Sequence, residues 1–326
     1  MTHFPRRELL GLLAAGGLAR PFTVRAADYP TRAVSIVVPY AAGGSSDVVA
    51  RFTAEMLRPR MDGQPVVVEN RPSANAVIGM QHVARAAPDG YTLLLGGAST
   101  NAVNPHLYRR KPYDGIADYT ALGLVGTGPL VVSVHPGLPI HNLQELIAYA
   151  KANPGKLAFG SSIGVTLHLA GELLKTLAGI DMLHVPYNSN TQALTDVVAG
   201  RLQVMFDPVS NSAPFIADGR LRPIVVPAPR RAAALPDVPT SAEAGLPAFE
   251  VLTWFGLYGP AGMPAELVAT LNRRLNAGLA ERTSVERLAR LGLDPAPTDP
   301  AGAAAYLRAD SEKWAEVIRR IGLVVD

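Results

Sequence analysis

The sequence predicts an α/β protein of two structural units, and three observations carry that expectation. The chain has 326 residues, a length that suggests about two domains. From Asp28 onward, short apolar runs alternate with longer amphipathic ones. Two of the apolar runs end in glycine- and serine-rich turns that open directly into helical patterns, the arrangement of parallel α/β sheets. With 48% apolar and 17% charged residues, the bulk of the chain can bury real cores.

Residues 1–27 read as an export signal. Arg6 and Arg7 precede the ten-residue apolar stretch LLGLLAAGGL, and cleavage is expected near Ala26 or Ala27. Ten residues rise only about 15 Å as a helix, half of a hydrocarbon core of ~30 Å. The Arg6-Arg7 pair fits a twin-arginine signal as well as an ordinary secretion signal, so the mature chain is placed in the periplasm by either route. The formal charge of +3 also belongs to this segment, which holds four arginines and one glutamate; the remaining chain carries 26 basic and 26 acidic residues. A neutral chain whose basic pairs Arg109-Arg110 and Arg230-Arg231 lack interleaved aromatics is not a nucleic-acid binder. The absence of cysteine excludes disulfides, thiolate metal sites, iron–sulfur clusters and cysteine nucleophiles.

The mature chain then reads element by element. VSIVVP (34–39) is a β-type run, and Val49, Phe52 and Met56 mark the helix after its turn. Strands follow at 66–68, 91–95, 122–125 and 130–134. Asn142 with Glu145 three residues on is a capping box, and Asn153-Pro154-Gly155 stops that helix. Strand 156–159, helix 167–177 closed by Gly179, strand 182–186, helix 192–199 and strand 202–206 complete the second unit. The last third is mostly helical: Leu267, Leu271 and Leu275 recur every four residues. Asp299-Pro300 starts a helix whose stripe runs through Leu307, Ser311, Trp314, Ile318 and Ile321, a docking face onto a sheet.

Chemistry concentrates in two strand–turn–helix segments. In Pro39-Tyr40-Ala41-Ala42-Gly43-Gly44-Ser45-Ser46-Asp47 the glycines let backbone N–H groups approach a ligand, and the helix start adds partial positive charge. Such a turn can hold a carboxylate or phosphate, or merely be a turn that Asp47 caps. It has neither the lysine of a P-loop nor dinucleotide-fingerprint spacing. In the second segment, Gly160-Ser161-Ser162-Ile163-Gly164 fits the nucleophile elbow of a serine hydrolase, with Ser162 as nucleophile. An α/β-hydrolase needs its histidine last, and none follows His184, so ligand contact through hydroxyls and turn N–H groups is the better reading. The mature histidines show no metal-ligand spacing, and no metal or cofactor is expected. Asp207 closes a strand at the end where α/β proteins place ligand contacts, or serves as a turn carboxylate.

The ordered set of motifs resembles the substrate-binding proteins of tripartite tricarboxylate transporters, the Bug-type periplasmic solute receptors. The match is carried by IVVPYAAGGSSD (36–47), PVVVENRP (65–72), APDGYTLL (87–94), NPHLY (104–108), PYD (112–114), HLAGEL (168–173), HVPY (184–187), MFD (205–207), ALPDVPT (234–240) and Trp254. It spans essentially all of 28–326, and the collinear set is far more specific than any one motif. The resemblance implies a type II periplasmic-binding fold, two α/β lobes with a ligand cleft between them, and a small organic solute, carboxylate-bearing, as ligand. It also implies the membrane subunits of such a transporter as partners, a monomeric receptor and no catalysis. By family position one wall of the cleft uses Tyr40, Ala42, Gly43, Ser45, Ser46 and Asp47. The other uses Ser161, Ser162, Thr166, Tyr187 and Asp207, and Ser99, Thr100 and Asn101 add contacts. Lobe 1 is expected to comprise 28–126 and 250–326, and lobe 2 residues 127–249.

Three departures bear on the ligand. A glycine-rich loop is replaced by Ser73-Ala74-Asn75-Ala76, which is stiffer and brings the Asn75 amide near the pocket. The serine loop before His168 is one residue short, and Asn188-Ser189 stands where a basic residue and glycine are usual. These changes also admit a neutral or amide-bearing solute. An exported hydrolase using Ser162, or a receptor serving a signalling partner, are the alternatives.

Overall fold

The computed structural model describes residues 29–325, so the expected export signal lies outside the described residues. Strand β1 (Val34–Val38) lies between β2 (Val66–Asn70) and β3 (Thr92–Gly97), all parallel. The sheet continues through β9 (Leu252–Pro260) to the first part of β4 (Tyr119–Val134), both joined antiparallel. The second sheet has the same plan. Its central strand β5 (Ala158–Ser161) lies between β6 (Leu183–Pro186) and β7 (Val204–Pro208), and β7 pairs with the last part of β4. In each, the order is second, first and third strand; β9 then stands between β3 and β4 in the first sheet, and β4, which links the two sheets, follows β7 in the second.

The linking strand corrects the sequence reading. Segments 122–125 and 130–134 are not separate strands; β4 runs through Gly126-Thr127-Gly128-Pro129 without a break. Local propensity argues for a turn there, but β9 pairs with this stretch from Gly126↔Phe255 to Pro129↔Leu252 and holds it extended. A side chain at Gly128 would bring its Cβ within 2.8 Å of Thr253 Oγ1, so glycine permits the close pairing. From Leu130 onward β4 belongs to the second sheet. Strand β9 itself interrupts the helical C-terminal third.

Apolar periodicity places the helices as expected. Val49, Phe52 and Met56 of α1 (Ser45–Leu57) and Leu267, Leu271 and Leu275 of α7 (Ala265–Leu279) pack on one face of the first sheet with Ile36, Val38, Leu93 and Leu95. The stripe Leu307, Trp314 and Ile318 of α9 (Pro300–Ile321) covers the opposite side. Helix α9 touches the turn after β3, strand β4 and also helix α4 (Thr166–Ala178) of the second sheet, so it lies across both units. Its start follows the sequence: the Asp299 carboxylate accepts the Gly302 N–H at 2.6 Å.

Candidate functional site

A cavity of about 510 Å³ opens where the carboxyl ends of β1 and β3 face the start of α4. From the first lobe it is lined by Tyr40, Ala41, Ala42, Gly44, Ser45, Ser46 and the run from Leu95 to Thr100. The second lobe contributes Val165, Thr166, Leu167, Asn190 and Pro208, and β9 contributes Thr253, Trp254 and Phe255 between them. No lining residue carries a charge.

The first wall is the turn after β1. Gly43 has φ +88°, a left-handed conformation that glycine adopts without penalty. Gly44 is the N-cap of α1 and has no side chain to offer, so the first-turn N–H groups at Ser45 and Ser46 are left for a ligand. Asp47 faces the other way. Its carboxylate accepts from Gly43 N at 2.9 Å, Arg51 Nε at 3.0 Å and Asn70 Nδ2 at 3.0 Å, and so ties the turn to the helix and to β2. The Arg51 contact, with the Gly43 N–H behind it, holds the Asp47 pKa down at about 2.

The middle of the wall is a π-helical turn, Ala98–Val103, which follows β3. Asn101, fully buried, keeps this wide turn in shape: Oδ1 accepts from Gly97 N at 3.1 Å and Thr100 Oγ1 at 2.9 Å, while Nδ2 donates to Gly115 O at 3.1 Å. The Tyr113 hydroxyl donates to Thr100 O at 2.6 Å. Ser99 is thereby presented at the mouth, its Oγ 3.4 Å from Thr166 Oγ1 of the opposite lobe.

The second wall repeats the first with different bracing. Gly164 supplies the left-handed corner at φ +75°, and α4 begins after Val165, an N-cap that makes no side-chain bond. Behind the turn, the Gly164 N–H donates to His168 Nδ1 at 3.2 Å. His168 stacks on His184 with ring centroids 3.8 Å apart, and His184 Nε2 meets Ser161 Oγ at 2.9 Å. Burial lowers both imidazole pKa values, that of His168 to about 3, so the stacked pair is neutral. Asn190, the first residue of α5 (Asn190–Val198), accepts the Ser162 N–H at 3.3 Å from inside the cavity.

The cavity therefore gathers Tyr40, Ala42, Ser45, Ser46, Ser99, Thr100 and Thr166 of the residues singled out from the sequence. Gly43, Asp47 and Asn101 stand one layer behind as braces. Ser161 is 1% exposed and engaged with His184, and the neighbouring Ser162 meets no histidine in the described contacts. Tyr187 donates to Asp196 at 2.5 Å. Asp207 is buried beneath α6 (Val209–Ala217), where Ser212 Oγ lies 3.2 Å away, and burial raises its pKa to about 7. Asn75 reaches Tyr108 Oη at 2.7 Å, and its carbonyl accepts from Asn104 Nδ2 at 2.8 Å. Sequence reasoning missed Asn190, the β3 end from Leu95 to Gly97, and Thr253 and Phe255. Of these walls, the sequence had singled out only the neighbouring Trp254 and the adjacent departure Asn188-Ser189.

Comparison with known proteins agrees with this architecture. Residues 49–323 match the model of the tripartite tricarboxylate transporter family receptors. Protein BugT of Bordetella pertussis is 35% identical over 312 residues, covering 95% of both chains. Among solved structures, the Rhodopseudomonas palustris protein Rpa4515 with adipate superposes with TM-score 0.76 at 34% identity, covering 91% of this chain and 99% of that one. MatC from the same organism with bound malate gives 0.73 at 31% identity, covering 89% and 100%. The two-lobed α/β architecture is that of periplasmic binding proteins.

Proposed function

The chain belongs to the tripartite tricarboxylate transporter receptor family, and on that premise we propose that it is a periplasmic receptor for a small dicarboxylate, delivered to the membrane subunits of such a transporter. The observation that carries this reading is the pair of uncapped helix starts, α1 from one lobe and α4 from the other, which face one cavity with no charged lining residue. Each offers backbone N–H groups and a partial positive charge, the complement of a carboxylate. Two such ends on opposite lobes fit a molecule with an anion at each end. The lobes meet over it, as the Ser99–Thr166 contact already does. Related structures with adipate and malate support the ligand class. Among the described residues no helix is long and apolar enough to cross a membrane, and no group of three or more histidines and carboxylates could hold a metal.

Thermal-shift screening of the protein from Asp28 onward, followed by calorimetry, tests this. Adipate or malate should raise the melting temperature and bind with Kd near 1 μM, about 8 kcal/mol. If the corresponding diamides bind more tightly than the diacids, the carboxylate reading is wrong and the neutral-solute reading takes its place.

A further inference from the structure

Beyond the cavity lining, helix α9 grips the segment of chain that leads from the second lobe back into the first. Trp254, 1% exposed on β9, donates its indole N–H to Asp310 Oδ2 at 2.8 Å, and its ring meets Tyr306 edge-on at 5.6 Å. The other oxygen of Asp310 takes Lys313 Nζ at 2.7 Å. The same ammonium donates to the carbonyl of Glu250 at 3.2 Å, just before β9 begins. One ion pair on one helical turn therefore holds Glu250 by its backbone and Trp254 by its side chain.

Trp254 is also a cavity residue, and the turn that carries Ser99 and Thr100 rests on it. A Cβ at Gly97 would lie 2.5 Å from the Trp254 carbonyl oxygen, so strand and turn are in close backbone contact there. We propose that Asp310 and Lys313 are positioning residues for ligand binding: by clamping Glu250 and Trp254 they set where β9, and the Gly97–Thr100 turn lying on it, stand in the cavity. The proposal rests on the receptor reading above for its consequence in affinity, but not for its structural part.

The physical reasoning is specific about which changes matter. Asp310 is 7% exposed, so removing it leaves the buried indole N–H without an acceptor and Lys313 without its partner. Lys313 has a half-exposed side chain, and its replacement by methionine keeps the stem while removing the tether to Glu250. Trp254→Phe removes the indole donor without changing a residue of α9, and keeps an aromatic ring facing Tyr306.

Hydrogen–deuterium exchange on the ligand-free protein comes first. In Asp310→Ala, Lys313→Met and Trp254→Phe, amides of 250–256 and of the turn 97–103 should exchange at least tenfold faster. Amides of β1 and β5 should stay as in the parent. Asp310→Asn, which keeps an acceptor for the indole, should restore most of the protection at 97–103. The double variant Asp310→Ala/Trp254→Phe should add little to either single change there, because both break the same link. Exchange that rises only within α9, or additive effects of the two changes at 97–103, overturns the clamp. Calorimetry with adipate comes second, and the Lys313→Met and Asp310→Ala variants should bind it about tenfold more weakly. If the parent protein binds neither adipate nor malate, the dicarboxylate reading fails while the exchange result still decides the clamp. If the parent binds and the variants bind equally well, the clamp does not position the site.

Discussion

The two helix starts that face the cavity have the same backbone plan and opposite chemistry behind it. In the first lobe the turn before α1 is braced by an ionised carboxylate, Asp47, shared among Gly43, Arg51 and Asn70. In the second lobe the turn before α4 is braced by neutral imidazoles, with His168 accepting from Gly164 and stacked on His184. Both leave the helix N–H groups free, which the site requires, but one wall draws its rigidity from charge and the other from burial. The walls should therefore fail under different conditions, and acid separates them most strongly.

The folded pKa of His168 is lowered to about 3 from an ordinary value near 6.5. Between those values the unfolded chain binds a proton that the folded chain does not, so this contribution to stability is complete above pH 6.5 and is lost as pH falls toward 3. On the order of 3 kcal/mol should disappear between pH 6.5 and 4. Asp47 behaves otherwise. Its folded pKa lies below its unfolded one, so its contribution is intact above about pH 4 and is lost only as pH falls through about 2. Urea melts at pH 7, 5.5 and 4 should show the parent losing its stability advantage over His168→Gln, which keeps an acceptor for Gly164; Asp207, raised to about 7, gains stability as pH falls in both proteins and cancels from that comparison. An equally steep profile in His168→Gln would show that the imidazole is not the acid-sensitive brace.

A charge set into each helix start asks whether both walls hold an anion. Ser45→Asp and Thr166→Asp should each weaken adipate at least 100-fold, about 3 kcal/mol. Ser45→Asp should at the same time leave stability unchanged or slightly raised, since an acidic residue in a first helical turn is favourable. Hexanoate discriminates further. With only one carboxylate it should be sensitive to one of the two changes and indifferent to the other. If a single variant abolishes adipate binding and the other leaves it intact, only one helix start is used.

Asp47→Ala tests the charged brace directly. It leaves the Gly43 N–H without its acceptor and Arg51 without its ion-pair partner, while Asn70 Nδ2 keeps the Tyr40 carbonyl, a loss of about 2 kcal/mol in urea denaturation at pH 7. Adipate binding should weaken by roughly tenfold through a loosened turn, although Asp47 itself does not line the cavity. Unchanged affinity in this variant would mean that the turn holds its shape through Gly43 and Gly44 alone.

Much of this contrast was legible in the sequence and some of it could not be. The strand–turn–helix segments, their glycines and their serines follow from local rules, because a left-handed corner and an uncapped helix start are properties of neighbouring residues. The roles behind the walls are not local. That His168 stacks on His184, or that Asn190 from the next helix reaches Ser162, depends on which strands the topology places side by side. The same limit explains β4: Gly126-Thr127-Gly128-Pro129 reads as a break, and only its partner β9, some 125 residues later, makes it a strand. Asp207 shows the converse. Its position at a strand end suggested the cleft, but its side chain is buried on the α6 side, where Ser212 and Asn211 donate to it.

The smallest expected effect concerns the third corner of the first lobe, where the comparison between lobes takes a different form. The turns before α1 and α4 use glycine for their left-handed residues, whereas the corner before α2 (Val77–Ala84) uses Asn75 at φ +48° and Ala76 at φ +65°. Holding alanine in that region costs about 1–2 kcal/mol, which Ala76→Gly would relieve. The same change gives up a buried methyl, about 0.8 kcal/mol, and adds about 0.4–1 kcal/mol of freedom to the unfolded chain. These terms nearly cancel, so Ala76→Gly should alter stability by no more than about 0.5 kcal/mol. A gain above about 1 kcal/mol would mean that the corner stores strain that Asn104 and Tyr108 hold in place through their bonds to Asn75. A loss of that size would mean instead that the methyl is an essential part of the core under the Tyr40 wall. Either result would show that this corner, unlike the two glycine turns, is fixed by what surrounds it rather than by its own backbone freedom.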